Sequence, residues 1–401
     1  MTSDEAICTA IPIRLLCVSH YFESHRGGIE MVAGRLARSL AQSRVDVTWA
    51  ACDASPPPTD LPVLPLRASN LIERRSGLPF PLPGPISCAR LISAIRRSQA
   101  VLVHDGMYPT SVVAIVAARL FRRPVVLVQH IGRVPASSLT LSTLFAIADR
   151  FLTRPMLRLA SQVVFISATS ARHFAEVSTR REPMLIFNGV DTDVFRPSAS
   201  ADDRRIEREQ TGWPSDRPVI LFVGRFLEKK GLLRLREMAT MRPDLHWAFA
   251  GWGPCDPAAW NLQNVTVHRD RSGVDLAPLY RAADLLVLPS KSEGFPLVVQ
   301  EALACGLRPI CCDDGANADP AAAGHVTSIS NDGSETEVVT RYIAAINALV
   351  LAPNGTAERS ERAKFARQRY AWHVATQRYR AVFTSLIAEL NSLTGREEMA
   401  A

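Results

Sequence analysis

Short apolar runs recur along the whole chain, separated by stretches in which apolar positions return every three or four residues. Residues 11–19, 45–51, 100–104, 124–129, 162–167 and 184–187 form a first series of runs; residues 219–223, 247–250, 265–268, 284–288 and 309–312 form a second. Runs this short and this continuously apolar predict parallel strands buried on both faces. The intervening stretches read as helices. After Gly27-Gly28, for example, the apolar positions Ile29, Val32, Ala33, Leu36, Ala37 and Leu40 mark one helical face. Further helices are expected at 86–97, 108–121, 139–159, after 168, and through 358–390. Two interruptions stand out. Residues 55–85 are rich in proline and predict a long loop, and residues 198–217 are polar and charged. The pattern restarts after the second interruption, so the chain divides into two successive α/β halves, 1–190 and 191–368, followed by a helical segment, 369–401. An α/β class with two Rossmann-like domains follows.

Composition narrows the picture. With 401 residues, 47% of them hydrophobic, the chain can bury two cores. No run approaches the roughly 18 apolar residues that span a bilayer. The first residues carry acids where a secretory leader carries positive charge, so a cytoplasmic location is expected. The eight cysteines form no C-x-x-C pair and no zinc spacing with histidine, so reduced cysteines and no metal centre are expected. Charge is uneven: residues 1–190 hold 21 arginines, no lysine and 12 acids, a net charge of +9, whereas the remainder is close to neutral. That asymmetry suggests an anionic surface as a partner of the first half. An arginine-rich composition with solvated faces accounts for it equally well. The arginines at 67–75 and the helical stripe Arg150, Arg154 and Arg158 are where a membrane face would lie. No helix-turn-helix, zinc finger or aromatic–basic repeat points to nucleic acid.

Candidate chemistry collects where strands end. Residues 100–104 and 124–129 each deliver a histidine, His104 and His130, at the carboxyl end of a strand, where ligands of doubly wound sheets bind. In the second half, Arg225 and Lys230 follow one strand. Glu293-Gly294-Phe295 follows another and opens a helix with Pro296 at its start and Gly306 past its end. Two cations beside a helix N-terminus suit a diphosphate. Glu301, inside that helix, suits the vicinal hydroxyls of a ribose. The glycine pair Gly27-Gly28 is by itself a weak signal, since Gly34 is too distant for a dinucleotide fingerprint.

The ordered set GGI, His130, NGVD-x-x-x-F, GR-x4-KG, AG-x-G and EGFP-x-x-x-x-EALACG resembles glycosyltransferase family 4, the retaining enzymes of the GT-B fold. The resemblance implies two Rossmann-like domains facing a central cleft: an acceptor-binding domain over 1–190, a nucleotide-sugar-binding domain over 191–368, and a last helix within 369–401 that crosses back. It implies that Gly27 and Gly28 lie at the diphosphate and that His130 meets the donor sugar. It implies that Arg225 and Lys230 stabilise the leaving diphosphate and that Glu293 holds sugar hydroxyls. Gly224, Gly251, Gly294, Phe295, Pro296, Leu297 and Glu301 would line the donor site. The reaction implied is transfer from a UDP- or GDP-sugar to a hydroxyl of a glycan or lipid-linked acceptor, in bacterial cell-surface polysaccharide or lipopolysaccharide synthesis at the inner face of the membrane. No cofactor or metal is called for, and Asp191-x-Asp193 lies in a turn rather than at a strand end. A non-catalytic nucleotide-sugar-binding scaffold and another enzyme of the same fold, such as an epimerase, are the alternatives. The sequence leaves the family pattern at Arg308, and again at the turn DDGANAD (313–319).

Overall fold

The computed structural model describes residues 12–25, 27–54, 56–76, 78–132, 139–290 and 295–395. Two of the residues singled out in the sequence, Glu293 and Gly294, lie outside the described residues. The chain separates into two compact units: residues 1–166, 170–186 and 375–401 form one, and residues 167–169 and 187–374 the other.

The strands in chain order are β1 (Ile13–Tyr21), β2 (Val45–Cys52), β3 (Val63–Leu66), β4 (Ala68–Ser69), β5 (Leu82–Pro83), β6 (Ala100–His104), β7 (Val125–Gln129), β8 (Gln162–Phe165) and β9 (Met184–Leu185) in the first unit. The second unit holds β10 (Val219–Val223), β11 (His246–Ala250), β12 (Val265–His268), β13 (Leu285–Leu288), β14 (Arg308–Cys312) and β15 (Thr327–Ile329). The first unit carries a seven-stranded parallel sheet in the order β3-β2-β1-β6-β7-β8-β9, with β4 and β5 as a separate antiparallel ribbon. The second carries a six-stranded parallel sheet, β12-β11-β10-β13-β14-β15. Every residue of β6, β7, β10, β11 and β13 is buried, as unbroken apolar runs require.

Both sheets reverse direction once. In the first, the order turns between β1 and β6; in the second, between β10 and β13. Connections leave such a point on opposite faces of the sheet, and the crevice beyond the strands' carboxyl ends is where ligands bind in this architecture. The histidine turns and the cation turns singled out above all lie at these ends.

Several elements differ from the sequence pattern. The proline-rich stretch 55–85 is not a plain loop. It contains β3, the ribbon, and the Leu71–Ser76 helix. Pro65 is tolerated in β3 because that strand is the sheet's edge, where a missing N–H costs no ladder bond. The polar stretch after residue 198 contains the Ala201–Gln210 helix, capped by Ser200. The last helix breaks in two, Thr356–Tyr370 and Trp372–Thr394, at Ala371, whose backbone is extended and bridges Val190. Among the described residues, no helix is long and apolar enough to cross a membrane. The expected stripe of Arg150, Arg154 and Arg158 is interrupted by a π turn at Asp149–Thr153. Arg154 turns onto Asp149 (3.1 Å) and the Phe174 ring, while Arg150 and Arg158 stay exposed.

Candidate functional site

In the first unit the loop after β1 leads into the Gly28–Gln42 helix. Glu30, in its first turn, is buried and receives a hydrogen bond from His20 Nε2 (2.9 Å), with His25 Nδ1 3.4 Å away. Burial opposes ionisation of Glu30, yet the two histidines hold its carboxyl well below the usual carboxylate range. His25 also reaches Glu73 through Nε2 (2.8 Å), and Glu73 accepts from the Tyr21 hydroxyl (2.6 Å). The Glu30 carboxylate, against the opposing effect of burial, and Glu73 together push the His25 pKa up. Gly27 is glycine for a local reason: a Cβ there would lie 2.1 Å from the Glu30 carboxylate. At Gly28 a Cβ would meet nothing within 4 Å, so the backbone there faces open space.

This cluster has a pH signature. A carboxyl whose folded pKa is depressed contributes stability that is present above its unfolded pKa of about 4.3 and is lost as pH falls toward the folded value. Glu30→Gln should therefore lower stability at pH 7 by about 1–2 kcal/mol and flatten the acid limb below about pH 4. Urea unfolding between pH 3 and 7 measures both; an unchanged acid limb would show that Glu30 is not the group being titrated.

The turns after β6 and β7 are laced together. Asp105, at φ 65°, is fully buried and accepts from the backbone N–H of Met107 (3.2 Å) and Ile131 (3.1 Å) and from Gln129 Nε2 (3.1 Å). Gln129 Oε1 in turn accepts from the Gly106 N–H (3.1 Å). Burial pushes the Asp105 carboxyl up, against these donors. The lacing fixes the residue between, His130, whose Nε2 lies 2.9 Å from His104 Nδ1. Burial, with His20 nearby, lowers His130 to about 3, and burial drives His104 well below its ordinary value. Both rings are neutral at pH 7, so His130 offers a hydrogen bond rather than a charge.

In the second unit the loops after β10 and β11 pack backbone against backbone. Gly224, Gly251 and Gly253 sit at φ 153°, 155° and 152°. A Cβ on Gly251 would lie 1.9 Å from the Gly224 carbonyl oxygen, so no larger residue fits. The Phe226 N–H donates to the Trp252 carbonyl (2.7 Å), and the Trp252 ring lies under the Arg225 guanidinium, 4.9 Å from its centroid. Arg225 is exposed, held by stacking rather than by an acid. Lys230 ends a 3-10 turn, Glu228–Lys230. The turn closes on Gly231, at φ 80°, where a Cβ would lie 2.2 Å from the Pro289 carbonyl oxygen. Pro289 directly follows β13, so the Lys230 turn is pinned to the opposite side of the switch point. Buried Arg234 braces the same place, with Nη1 on the Asn331 amide oxygen (2.6 Å) and the Pro289 carbonyl (3.3 Å).

The helix after β13 spans Leu297–Ala304, with Pro296 as its N-cap, one residue earlier than its expected place inside the helix. Proline has no side-chain acceptor to offer, so no side chain caps the first turn, and backbone N–H groups remain for an anion. Phe295 is buried edge-on against Phe187 and Tyr370, so its backbone, not its ring, is available to a ligand. Glu301 accepts from the Tyr280 hydroxyl through Oε2 (2.8 Å). Tyr280 is fully buried, and burial with Glu301 pushes its pKa well above the ordinary value, which keeps the phenol a donor. Tyr280→Phe should weaken any ligand binding at the Glu301 carboxylate by about three- to tenfold. Calorimetry measures this directly, and an unchanged affinity would separate Tyr280 from the site.

The helix ends with the N–H of Gly306 on Leu303 and that of Leu307 on Ala302, Gly306 being left-handed at φ 71°. Arg308 then caps another helix: its guanidinium donates to the carbonyls of Leu349 (3.3 Å) and Pro353 (2.8 Å), at the end of the Glu335–Leu351 helix. The departure at Arg308 is thus a packing feature. Asp191 accepts from the N–H groups of Asp193 (3.1 Å) and Val194 (3.3 Å), closing its own turn. Among the described residues, no three His, Cys, Asp or Glu side chains cluster closely enough to hold an ion.

The structure thus brings His130 together with His104 at one sheet's carboxyl end, and sets Arg225, Lys230 and the start of the Glu301 helix around the switch point of the other. Sequence reasoning missed Glu30 with its histidines, Trp252, Arg234 and Tyr280. Only Trp252, between two glycines directly after a strand, left a trace in the sequence.

Two family models match the chain: Glycosyltransferase Family 4 over residues 26–194 and Glycosyl transferases group 1 over residues 203–362. A curated relative, D-inositol 3-phosphate glycosyltransferase 2 of Catenulispora acidiphila, is 28% identical over 425 aligned positions, covering 92% of this chain and 93% of that one. Among solved structures, sucrose-phosphate synthase from Thermosynechococcus elongatus superposes with a TM-score of 0.71 at 17% identity, over 94% of this chain and 100% of that one. Anabaena Alr3699/HepE in complex with UDP-glucose does so with a TM-score of 0.65 at 17% identity, over 92% and 99%. At this identity the structural likeness speaks for the fold alone.

Proposed function

Because this chain belongs to the family 4, group 1 glycosyltransferases and is a glycosyltransferase of the GT-B fold, we propose that its donor is a nucleotide-diphosphate sugar, UDP- or GDP-linked, and that the anomeric configuration is retained. One observation carries the donor assignment. At the switch point of the second sheet, Arg225 and Lys230 follow β10, and an uncapped helix start follows the neighbouring β13. Negative charge grows on the departing diphosphate as the glycosidic bond breaks, and fixed cations with backbone N–H donors stabilise it as it forms. Glu301, set by Tyr280, is proposed to take the ribose hydroxyls. His130 is proposed to meet the donor sugar, the Gly27-Gly28 turn to lie at the diphosphate, and Glu293, on the sugar hydroxyls, with Gly294 to complete the donor site. The solved complex of Anabaena Alr3699/HepE with UDP-glucose supports a donor of this class. Retention, with attack from the leaving group's own face, rests on the family resemblance. Since the cations are built into the fold, activity is proposed to need no metal and to survive EDTA.

The proposed acceptor is a hydroxyl of a glycan or lipid-linked sugar in bacterial cell-surface polysaccharide or lipopolysaccharide synthesis, met at the inner face of the membrane. The support is an exposed apolar set, Leu144, Ile147 and Phe151, flanked by exposed Arg150 and Arg158. A small phosphorylated polyol is the second reading, favoured by the relative that acts on D-inositol 3-phosphate.

A thermal-shift panel of UDP, GDP and their sugars tests the donor, because a ligand bound only by the folded chain raises the melting temperature. NMR of the product's anomeric proton then reports retention or inversion. No shift with any nucleotide would remove the donor assignment. Flotation with phosphatidylglycerol vesicles at low salt tests the membrane part.

A further inference from the structure

The first unit has a basic concavity at the end of its sheet away from the histidines. It opens beside Pro124 and Ser161, which immediately precede β7 and β8, and encloses about 500 Å³. His130 follows the other end of β7. That strand has five residues, so about 16 Å of sheet separates the two places. Five arginines line the concavity, Arg119, Arg122, Arg123, Arg180 and Arg181, against one carboxylate, Glu389.

The arginines are unevenly employed. Arg181 pairs with Glu389, and Arg123 donates to the Arg96 carbonyl (2.7 Å). No ion pair or hydrogen bond ties the side chains of Arg119, Arg122 or Arg180 to another described residue. Arg119 and Arg180 lie close enough to disfavour each other: burial first, and then the charge of Arg180, lower the Arg119 pKa. Like charges gathered in a concavity destabilise the fold unless something neutralises them.

Arg122 adds a second, independent observation. The Pro109–Leu120 helix ends with the N–H of Arg122 on Arg119 and that of Arg123 on Ala118, the same pattern that ends the Glu301 helix. The position taken there by Gly306 is here taken by Arg122, at φ 54°. A side chain is strained in this left-handed conformation, which glycine adopts freely. The chain accepts that strain and places a guanidinium at the concavity's mouth. Cations do favour a helix C-terminus, and this accounts for Arg119 or Arg122. It does not account for Arg180 and Arg181, which come from the loop before β9.

We propose that this concavity is a binding site for a multiply charged phosphate-bearing anion, separate from the donor site. Guanidinium forks grip phosphate oxygens in pairs, so three arginines without other partners suit a di- or triphosphate group. Leu386, Leu390 and Leu393 of the last helix form an apolar wall on one side. The group is therefore carried either by a free soluble phosphate compound or by the headgroup of an anionic lipid.

The test uses the full chain with Arg225→Ala and Lys230→Ala together as background, which removes both cations of the proposed donor site. Inorganic tripolyphosphate is titrated by calorimetry, and vesicles containing phosphatidylglycerol are offered by flotation. The expected result is binding that Arg119→Gln with Arg180→Gln weakens by about tenfold or more. Loss of tripolyphosphate binding assigns a soluble ligand; loss of vesicle binding alone assigns a headgroup. Arg122→Gly is the sharper variant. It should raise the melting temperature of the ligand-free protein, by relieving the strained conformation, and still weaken anion binding. A purely structural arginine would not move the two readouts in opposite senses. If neither probe distinguishes the arginine variants from their parent, the site does not exist.

Discussion

Replacing Lys230 by alanine should lower kcat by about 100- to 1000-fold, with the donor's KM changed by less than about fivefold. The size follows from what Lys230 is asked to do. A cation beside the substrate's diphosphate interacts in the ground state, but the interaction grows as the oxygen that joined sugar to diphosphate takes up charge on bond cleavage. Only that growth accelerates the step. The turn is built to hold the position. Lys230 closes a 3-10 turn, and Gly231 packs it against the Pro289 carbonyl, where no Cβ fits. The turn that carries Lys230 is thus fixed by backbone packing within the fold. Lys230→Met keeps the apolar stem and should lose as much turnover as alanine, which separates charge from packing. Steady-state kinetics with saturating acceptor gives both constants. Turnover within threefold of the parent in both variants would sink the leaving-group role.

The second large effect is on binding. Glu301→Ala should raise the donor Kd by about 30- to 100-fold, since hydrogen bonds to a charged group contribute about 1.5–3 kcal/mol. The carboxylate is set in the second turn of the Leu297–Ala304 helix and anchored through Oε2 by a phenol that stays protonated. Glu301→Gln, which keeps one acceptor and loses the charge, should fall between parent and alanine. Calorimetry with the nucleoside diphosphate alone isolates the effect from the sugar. A loss seen with the sugar nucleotide but absent with the nucleoside diphosphate would move Glu301 from ribose to sugar. Lys230→Ala should show the opposite balance, which makes the pair a test of the division between binding and leaving-group stabilisation.

The strands of both sheets' centres were legible because a strand buried on both faces must be apolar at every position, and such a run has few other readings. Two edge strands were not legible for the converse reason. β3 contains Pro65, and β15 is the three-residue TSI; each has one side free of the sheet's demands, whereas the edge strands β9 and β12 lay within apolar runs and were legible. The break at Ala371 was hidden as well. Alanine favours a helix, and it is extended here because its backbone bridges Val190, a partner 181 positions away.

The candidate site divides in the same way. Arg225, Lys230, Phe295, Pro296 and Glu301 stood out because a strand end, a glycine and a helix start are local signals that can be read within about ten residues. The residues that orient them did not stand out, because their partners are remote in the chain: Tyr280 for Glu301, Pro289 and Asn331 for Arg234, Asp105 for the turn that holds His130. Arg308 shows the cost of judging by local pattern alone. In sequence it interrupts a family motif; in the fold it caps a helix.

By itself the sequence determined the order of the central strands and the helices between them, the two successive α/β halves, and the turns that carry charge at strand ends. Each of these follows from periodicity and backbone chemistry within a short stretch. The tertiary structure alone decided the reversal of strand order that puts Lys230's turn beside β13, the neutral state of His130, and the gathering of Arg119, Arg122 and Arg180 around one concavity. Those depend on which distant segments share a low-dielectric interior or a surface, and no local pattern encodes a neighbour brought in by folding.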